Sequence, residues 1–398
     1  VSGLKAKPGT EYFVNFNVTT VEKEPLIPIG HEIACDQFRL PIESPKKAFK
    51  TSGPKLTVST NGDNLSASSS KVNFVFNRKT GIVTSYKVDG TEYFSEGFGI
   101  QPNFWRAPTD NDYGNGMPKR LQVWKESSKN FNVTDATVTM DGNNAVVNVN
   151  YLLPAGNLYI VNYTIYPSGA VNVAARFTST DMDAAQTEVS EATRTATFTP
   201  GRDAARKEAS KLNVPRIGVR FRLPASMNQV EYFGRGPAEN YLDRNAGSMV
   251  GLYKSTAEEL YFPYVRPQEN GHHTDTRWVS LSTGKKGLLI QADNTIGFNA
   301  LRNSIEDFDD EEATGLPRQW SNFTPEQVAN HDEAAAKNVL RRQHHINNIT
   351  PRDFVEVCVD LKQQGVAGYD SWGSRPEPAY TLPANREYNW GFTLIPLK

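Results

Sequence analysis

The sequence has 398 residues, with 43 basic and 44 acidic side chains and a net charge of −1. A chain this close to neutrality lacks the basic surface expected of a nucleic-acid-binding protein. It has no run of about 18 apolar residues, so no membrane-spanning helix is expected, and 38% hydrophobic residues exclude a disordered polymer. At about 150 residues per domain, the length allows one large domain or two to three ordinary ones.

The first 50 residues differ from the rest of the chain. The sequence begins at Val1 without a methionine or a targeting segment, and from this we expect a piece of a longer protein. Pro45, Pro54 and a lysine cluster, with Pro41 just before them, make residues 42–54 a linker. About 40 residues precede it, enough for three strands but too few for an independent sandwich.

Short alternating segments of β-branched and aromatic residues dominate the sequence from residue 11 onward. Alternation with a period of two is typical of strands, and Gly-containing turns separate the segments. The predicted strands are 11–19, 71–76, 145–152, 158–166, 170–177, 217–223, 287–292, 354–360 and 388–395. Strands in succession without alternating helices indicate an all-β sandwich or barrel.

Two helices are predicted as insertions between strands. Thr324-Pro325-Glu326-Gln327 is typical of a helix start, with a capping Thr and a Pro in the first turn, and the following residues to Arg342 are rich in Ala, Glu and Gln. A second, shorter candidate is 204–212.

The sequence departs from common catalytic and metal-binding motifs at positions that those motifs require. The Gly-rich segment 234–239 has Glu239 where a dinucleotide-binding loop needs its third glycine. The segment that begins at Asp110 has Leu121 where a calcium-binding EF-hand needs a glutamate. We therefore expect neither a nucleotide site nor an EF-hand.

Histidine pairs and an acidic run are also weak metal candidates. His272-His273 and His344-His345 are adjacent, and neighbours on a strand point to opposite faces. The acidic residues of segment 306–312 are typical of a solvated loop. We predict no metal site in this chain.

Four loops combine aromatic with polar side chains, at 102–113, 231–241, 264–277 and 368–373. Aromatic rings cover the apolar faces of sugars, and Asp, Asn and Arg pair with their hydroxyls. Any one such loop is explained as well by internal bracing. Four of them favour a carbohydrate-related protein.

These loops resemble the C-terminal region of bacterial β-galactosidases of glycoside hydrolase family 2. The similarity lies in four segments that occur in the same order. They are Asn103-Phe-Trp-Arg-Ala-Pro-Thr-Asp-Asn-Asp112, Tyr232-Phe-Gly-Arg-Gly-Pro-Ala-Glu-Asn-Tyr-Leu-Asp-Arg244, Pro263-Tyr-Val-Arg-Pro-Gln-Glu-Asn-Gly271 with Thr276-Arg277, and Gly368-Tyr-Asp-Ser-Trp372.

The resemblance implies a fold and a domain division. Residues 56–398 would form a large antiparallel supersandwich, similar to galactose mutarotase. Residues 1–52 would be the C-terminal part of an immunoglobulin-like β domain.

The resemblance also implies which residues are absent. A retaining glycosidase uses two carboxylates about 5–5.5 Å apart. In this family both lie in an upstream TIM barrel, so no catalytic residue is expected in this chain. Glu239, Glu269 and Asp370 are not catalytic candidates on this basis.

Substrate contacts are nevertheless implied. Trp372 matches a tryptophan that stacks on the sugar, and Asp370 and Ser371 precede it in the same segment. An active-site loop is implied at Asp112, Tyr113, Gly114, Asn115 and Gly116, continuing to about Arg120, with Gly114 as a hinge.

The sequence thus predicts the C-terminal portion of an enzyme that hydrolyses terminal β-galactosides, inactive when alone. Its expected partners are the TIM barrel of the same polypeptide and a β-galactoside, but neither nucleic acid nor membrane. The complete enzyme is expected to be a homo-oligomer, and any Mg²⁺ or monovalent cation to bind outside this chain. Bacterial cytoplasm and periplasm remain equally open.

Two alternatives remain. One is a stand-alone carbohydrate-binding or mutarotase-like protein that uses His272, His273 and Glu269 as acid and base. The other is a scaffold that shapes the larger enzyme and its interfaces.

Overall fold

The computed structural model describes residues 7–42, 44–179, 212–309, 346–370 and 373–398, and strands dominate these ranges. The strands are β1 Phe13–Thr19, β2 Glu32–Arg39, β3 Thr57–Asn61, β4 Asn64–Ser68, β5 Val72–Asn77, β6 Ile82–Val88, β7 Thr91–Glu92, β8 Gln101–Asn103, β9 Asn132–Asp141, β10 Asn144–Leu152, β11 Asn157–Ile165, β12 Val171–Ser179, β13 Arg216–Pro224, β14 Gln229–Gly236, β15 Met249–Thr256, β16 His273–Ser282, β17 Gly287–Leu301, β18 Phe354–Gln363 and β19 Tyr388–Leu397. The all-β prediction is confirmed.

Helices in the described residues are short. They are α1 Asp110–Gly114, α2 Met117–Arg120, α3 Gln122–Lys129 and α4 Ile305–Phe308, with 3-10 turns at Ser95–Gly97, Ile346–Asn348 and Pro378–Tyr380. The predicted helix at 326–342, and all of 204–212 except its last residue, lie outside the described residues. No described helix is both long enough and apolar enough to cross a membrane.

Alternating burial explains why the strand predictions succeed. Strand β5 alternates strictly between buried and half-buried residues, and β10 does the same over nine residues. Strand β13 departs from this pattern because its first six residues are all buried. It lies inside the molecule, between β8 and β18.

The described strands form three antiparallel sheets. Strands β1 and β2 pair as a hairpin, and β3 to β7 form a five-stranded meander. The remaining twelve strands form one large sheet with the order β15-β14-β16-β17-β19-β12-β11-β10-β9, to which β18, β13 and β8 attach as a branch.

The long strand β17 creates this branch. Its first part, Gly287–Ala292, pairs with β19, whereas Gly297–Leu301 pairs with β18. One strand therefore belongs to both arms of the sheet.

Aromatic side chains join the five-stranded sheet to the large one. The rings of Phe74 and Tyr163 lie 5.6 Å apart, and the Tyr86 hydroxyl donates a 2.6 Å hydrogen bond to the Gly169 carbonyl. Tyr151 donates to the Gly81 carbonyl at 2.9 Å. Each tyrosine thus buries its ring while its hydroxyl is satisfied by backbone of the opposite layer. The result is a sandwich.

The N-terminal hairpin packs differently. Two strands are present in residues 7–42 where three were expected. The apolar side chains of this hairpin and its turn are exposed: Phe16, Val18, Val21, Leu26, Ile27, Ile29, Ile33 and Phe38. A two-stranded hairpin is marginally stable alone, and an exposed apolar surface of this kind is typical of an interaction site.

Two polar contacts hold the hairpin to the large sheet. The Gln37 carboxamide donates to the Val250 carbonyl at 2.9 Å and accepts from the Val250 N–H at 2.8 Å. It therefore pairs with the backbone N–H and C=O groups of the edge strand β15, as the backbone of a neighbouring strand would. Arg277 donates two hydrogen bonds to Glu11, at 2.8 and 2.9 Å.

Replacing Gly218 by Ala tests the packing of β13. A Cβ at Gly218 would overlap Asp360 Oδ1 and lie 2.6 Å from the Val359 carbonyl oxygen. We expect Gly218→Ala to lower the free energy of unfolding by about 3 kcal/mol, the upper part of the range for over-packed cores.

Gly247→Ala is the matched control, since a Cβ there meets no atom within 4 Å. Urea denaturation of both variants gives the comparison. Equal stability of the two variants would contradict this account of the β13–β18 pair.

Candidate functional site

Two predicted site segments, far apart in the sequence, lie side by side. Asn111 Nδ2 donates to the Val366 carbonyl at 3.0 Å, and Asn115 Nδ2 donates to the Ser374 carbonyl at 3.3 Å. A Cβ at Gly373 would lie 2.5 Å from the Gly114 carbonyl oxygen, so the two backbones touch. The structure therefore joins the implied active-site loop to the segment around Asp370.

The implied loop is helical in part. Thr109 caps α1, because its hydroxyl accepts from the Asp112 N–H at 3.2 Å while the Asp112 carboxylate accepts from the Thr109 N–H at 3.0 Å. Gly116 then takes a φ of 71°, which favours glycine, and separates α1 from α2. The segment implied as an active-site loop thus consists of two short helices joined by Asn115 and Gly116, and its role near an active site stays a prediction.

Asp112 is buried beneath this turn. Arg106 donates to both of its oxygens, at 3.0 and 2.9 Å. Because both side chains are fully buried and the pair is bidentate, the charges compensate each other in a site without bulk water. Both oxygens of the Asp112 carboxylate therefore hold α1 in place. The family resemblance implied Asp112 only as a residue of the active-site loop.

Arg106, Asn111 and Asp243 together hold the backbone of residues 364–367, and we call these three side chains the clamp. Arg106 donates to the carbonyls of Gln364 and Gly365, at 2.7 and 3.0 Å. Asn111 binds the next carbonyl, as described above. Each clamp residue comes from one of the segments that carry the family resemblance.

Asp243 supplies the acceptors of the clamp. Its Oδ1 accepts from the Val366 N–H at 2.9 Å and its Oδ2 from the Ala367 N–H at 2.8 Å. Ala367 has a φ of 56° and Gly368 a φ of 98°. An alanine rarely adopts that region, so the backbone here is held in a strained shape by its surroundings.

The clamp leads into the residues implied to contact the sugar. Asp370 is exposed, and its Oδ1 accepts from the Ser374 N–H at 3.2 Å, so it shapes the turn in which it lies. Ser371 and Trp372 lie outside the described residues. Substrate contact by these three residues stays a prediction.

An aromatic and charged surface borders α1. The Arg266 guanidinium lies 3.7 Å from the centre of the Tyr113 ring and 4.0 Å from Asp110. Gln268 accepts from the Asp110 N–H and donates to its carboxylate, both at 3.1 Å. The loops at 102–113 and 264–277 therefore meet here, with Tyr113 half-buried.

A second polar cluster lies below this surface and is completely buried. Arg216, on β13, donates to Glu269 at 2.9 Å and to Asn299 at 2.8 Å. Gln363 also donates to Glu269, at 2.8 Å. Glu269 is therefore a partner of Arg216 inside the core and is not presented to a ligand.

Asp360 shares Arg216 with Glu269. Its Oδ2 lies 3.1 Å from Arg216 Nε, but neither of its oxygens has a hydrogen bond within the described part of the chain. Burial raises the pKa of Asp360 to about 8, against the opposing effect of Arg216. The nearby Glu269 raises this pKa further, so the Asp360 carboxyl group keeps a proton at neutral pH.

The two adjacent histidines are part of the same core. His272 Nδ1 lies 2.9 Å from Asn299 Oδ1, and its ring stacks on Tyr241. Both nitrogens of His273 face backbone carbonyls, at 3.1 and 3.2 Å. Burial, assisted by Arg216, holds the pKa of His272 well below its usual range, and burial lowers that of His273. Both imidazoles are neutral structural groups.

Glu239 is also bonded to groups of the protein itself. It accepts from Arg244 at 2.9 Å and from the Gly271 N–H at 2.7 Å, and Tyr264 also donates to it. Its surroundings tie the loop at 231–241 to the loop at 264–277. That this chain holds no catalytic residue stays a prediction.

The acidic segment 306–312 was expected to be a solvated loop, but the acidic side chains of its described part form ion pairs. Glu306 pairs with Arg220 at 2.8 Å, Asp307 pairs with Arg352, and Asp309 pairs with Lys125 at 2.8 Å. Residues 310–312 lie outside the described ranges. Across the described ranges, no three His, Cys, Asp or Glu side chains come together in a way that could hold a metal ion.

Sequence reasoning missed the anchoring residues. Arg216 and Asp360 are charged residues next to runs of β-branched and other apolar residues, and that mismatch was an available signal. Asp243 stood inside a quoted motif without a role. Their partners lie about 50 to more than 140 residues away in sequence, as in the Arg216–Glu269 and Arg216–Asp360 pairs, so only the fold reveals them.

The fold and the site define an all-β antiparallel sandwich whose polar loops hold one another together. A family model described as "Beta galactosidase small chain" matches residues 68–394. The chain belongs to this β-galactosidase small-chain family.

Individual relatives are similar over most of the chain. A "Beta-galactosidase" of Priestia megaterium is 31% identical over 371 residues, which cover 92% of this chain and 30% of that protein. A "Beta-galactosidase small subunit" of Latilactobacillus sakei is 27% identical over 331 residues, 81% of this chain and 92% of the subunit. The chain thus spans about a third of the first relative and nearly all of the second.

A solved structure titled as a galactose 1-epimerase from Lactobacillus acidophilus NCFM also aligns with the fold. The alignment covers 86% of this chain and 98% of that one, with a TM-score of 0.39 and 9% identity.

The pH dependence of stability tests the assignment of a proton to Asp360. Between about pH 4 and its raised pKa of about 8, Asp360 keeps a proton in the folded state that it loses on unfolding. Its contribution to stability therefore falls as the pH rises through this window.

We expect Asp360→Asn, which imitates the neutral acid, to have a flatter stability profile than the wild type between pH 6.5 and 8 (a range set above the ordinary pKa of His, about 6.5). Urea midpoints across this range measure the difference. Parallel profiles would contradict a protonated Asp360, and Glu269→Gln is the comparison that should destabilise at every pH, because it leaves Arg216 without its ionised partner.

Proposed function

We propose that this chain is the small-chain portion of a β-galactosidase that hydrolyses terminal β-galactosides. In this proposal it forms one wall of the active site and contacts the sugar, while the two catalytic carboxylates come from another part of the enzyme. The single observation that carries the proposal is the clamp, in which separate family-like segments converge on the backbone that leads to Asp370.

The hydrogen bonds made by carboxylates of this chain support the proposal that the catalytic pair comes from another part of the enzyme. Glycoside hydrolysis needs one carboxyl group free to donate a proton and a second free to attack or to activate water. Arginines donate hydrogen bonds to Glu239, Glu269 and Asp112, and each of these carboxylates holds part of the fold together. None of these three is available for that chemistry.

The sugar contacts are proposed for Asp370, Ser371 and Trp372, with the segment from Asp112 to Gly116 as their neighbour. An indole ring suits the apolar face of galactose, and Asp and Ser suit its hydroxyls. The contact between Gly114 and Gly373 supports treating the two segments as one surface.

The part of the enzyme that supplies the catalytic carboxylates can be connected to this chain in two ways. The relatives named β-galactosidase are about three times as long as this chain, which fits a TIM barrel in the same polypeptide. The relative named as a small subunit fits a barrel on a separate chain. The proposal covers both, and places any Mg²⁺ or monovalent cation, and the homo-oligomer contacts, with the assembled enzyme.

The exposed hairpin fits the proposed division at residues 1–52 and 56–398. The apolar residues on β1 and β2 lack cover within the described ranges, whereas the large sandwich buries its core. We propose that the hairpin belongs to an immunoglobulin-like domain, as the family resemblance implies.

A mutarotase-like activity has less support. It would need an acid and a base that reach the sugar, and His272, His273 and Glu269 are all buried and bonded to protein groups. Measuring the anomerisation of galactose by polarimetry would detect this activity. A scaffold role without sugar contact remains the second candidate, because the clamp braces the fold in either case.

An activity assay tests the proposal as a whole. We expect the purified chain to show no turnover of an aryl galactoside, and the complete enzyme, with the catalytic part fused or added as a separate subunit, to turn it over. Turnover by the purified chain alone would contradict the proposal. So would full kcat in an enzyme that lacks residues 56–398.

Removing the proposed stacking residue tests the sugar contact. In the complete enzyme, Trp372→Ala should raise KM by about tenfold, because a stacking contact is worth about 1–2 kcal/mol. Trp278→Ala is the matched control and should leave KM unchanged, since Trp278 lies on strand β16 and is not among the proposed sugar contacts. An unchanged KM in Trp372→Ala would favour the scaffold role.

A further inference from the structure

Asp243 is placed to shape a backbone rather than to react. Both of its oxygens accept main-chain N–H groups, those of Val366 and Ala367. We propose that Asp243 is a positioning residue for substrate binding, which sets the direction in which the chain leaves the clamp toward Asp370. The inference rests on the proposed function and extends it to a residue outside the proposed sugar contacts.

The carboxylate is in close contact with the segment that it holds. A Cβ at Gly365 would overlap the Asp243 carboxylate, so a side chain at that position would displace it. Hydrogen bonds from N–H groups to an ionised acceptor are stronger than those between neutral groups. Asp243 can therefore fix two successive peptide units with one side chain.

The conformation that it fixes is unusual. Ala367 has a φ of 56°, in the left-handed region that residues other than glycine rarely adopt. At the next position, a Cβ on Gly368 would lie 2.7 Å from Asn111 Nδ2. The chain can turn here only with Asp243 bound on one side and Asn111 packed on the other.

The carbonyl side of the same segment is held independently. Arg106 binds the carbonyls of Gln364 and Gly365, and Asp112 keeps Arg106 in place. The segment then meets α1 again where Gly373 touches Gly114. Between Gly365 and Asp370 the direction of the chain depends on the backbone at residues 366 and 367, whose N–H groups are held by Asp243.

The test is Asp243→Asn in the complete enzyme. An asparagine side chain offers one acceptor oxygen instead of two, so one of the two amides loses its partner. We expect KM for an aryl galactoside to rise by about tenfold with a smaller change in kcat, because displaced binding groups weaken the substrate complex. Amide hydrogen exchange at residues 366–367 should be faster, and this readout does not depend on activity.

Asp307→Asn is the matched control. Asp307 likewise accepts a backbone N–H, from Ser304, but its other partners are the Ser304 hydroxyl and Arg352, and it takes no part in the clamp. We expect it to lower stability without changing KM.

Ala367→Val keeps the proposal testable if Asp243→Asn fails to fold. A β-branched residue strains the left-handed position directly while Asp243 stays intact, and should raise KM in the same way. Unchanged KM in both folded variants, with fast exchange at residues 366–367 in Asp243→Asn, would overturn the positioning role. A wild-type enzyme without turnover would instead contradict the proposed function, and the exchange rates would still test the clamp.

Discussion

The ion pair between Arg106 and Asp112 is the interaction on which the candidate site depends. Neither side chain reaches water, so each needs the other to remain charged inside the protein. The same guanidinium binds the carbonyls of Gln364 and Gly365, and the same carboxylate caps the first turn of α1. One buried pair therefore fixes two surface segments that are more than 250 residues apart in sequence.

Charge compensation organises the deeper cluster by the same rule. Arg216 has two acidic neighbours, and its positive charge balances only one of them. Glu269 has the better hydrogen bonds, because it accepts from Arg216, Asn299 and Gln363. Asp360 keeps a proton instead. Residues that look catalytic by type are thus explained by the need to keep a buried cation neutralised.

Much of the fold could be predicted from local patterns. The nine predicted strands coincide with strands of the structure to within two residues at their starts, because alternation of buried and exposed side chains is a property of neighbouring residues. The sequence did not indicate that β17 joins two arms of a sheet or that residues 110–129 contain three short helices. Those outcomes depend on which distant strand or carboxylate lies beside a segment.

The sequence alone determined the all-β class and the four polar segments whose resemblance pointed to the family. Only the tertiary structure decided what the polar segments do for one another, with Asp243 on the backbone of Val366 and Arg106 on that of Gly365. The physical reason is that a strand pattern is local, whereas the partner of a buried charge is chosen by proximity in the folded chain.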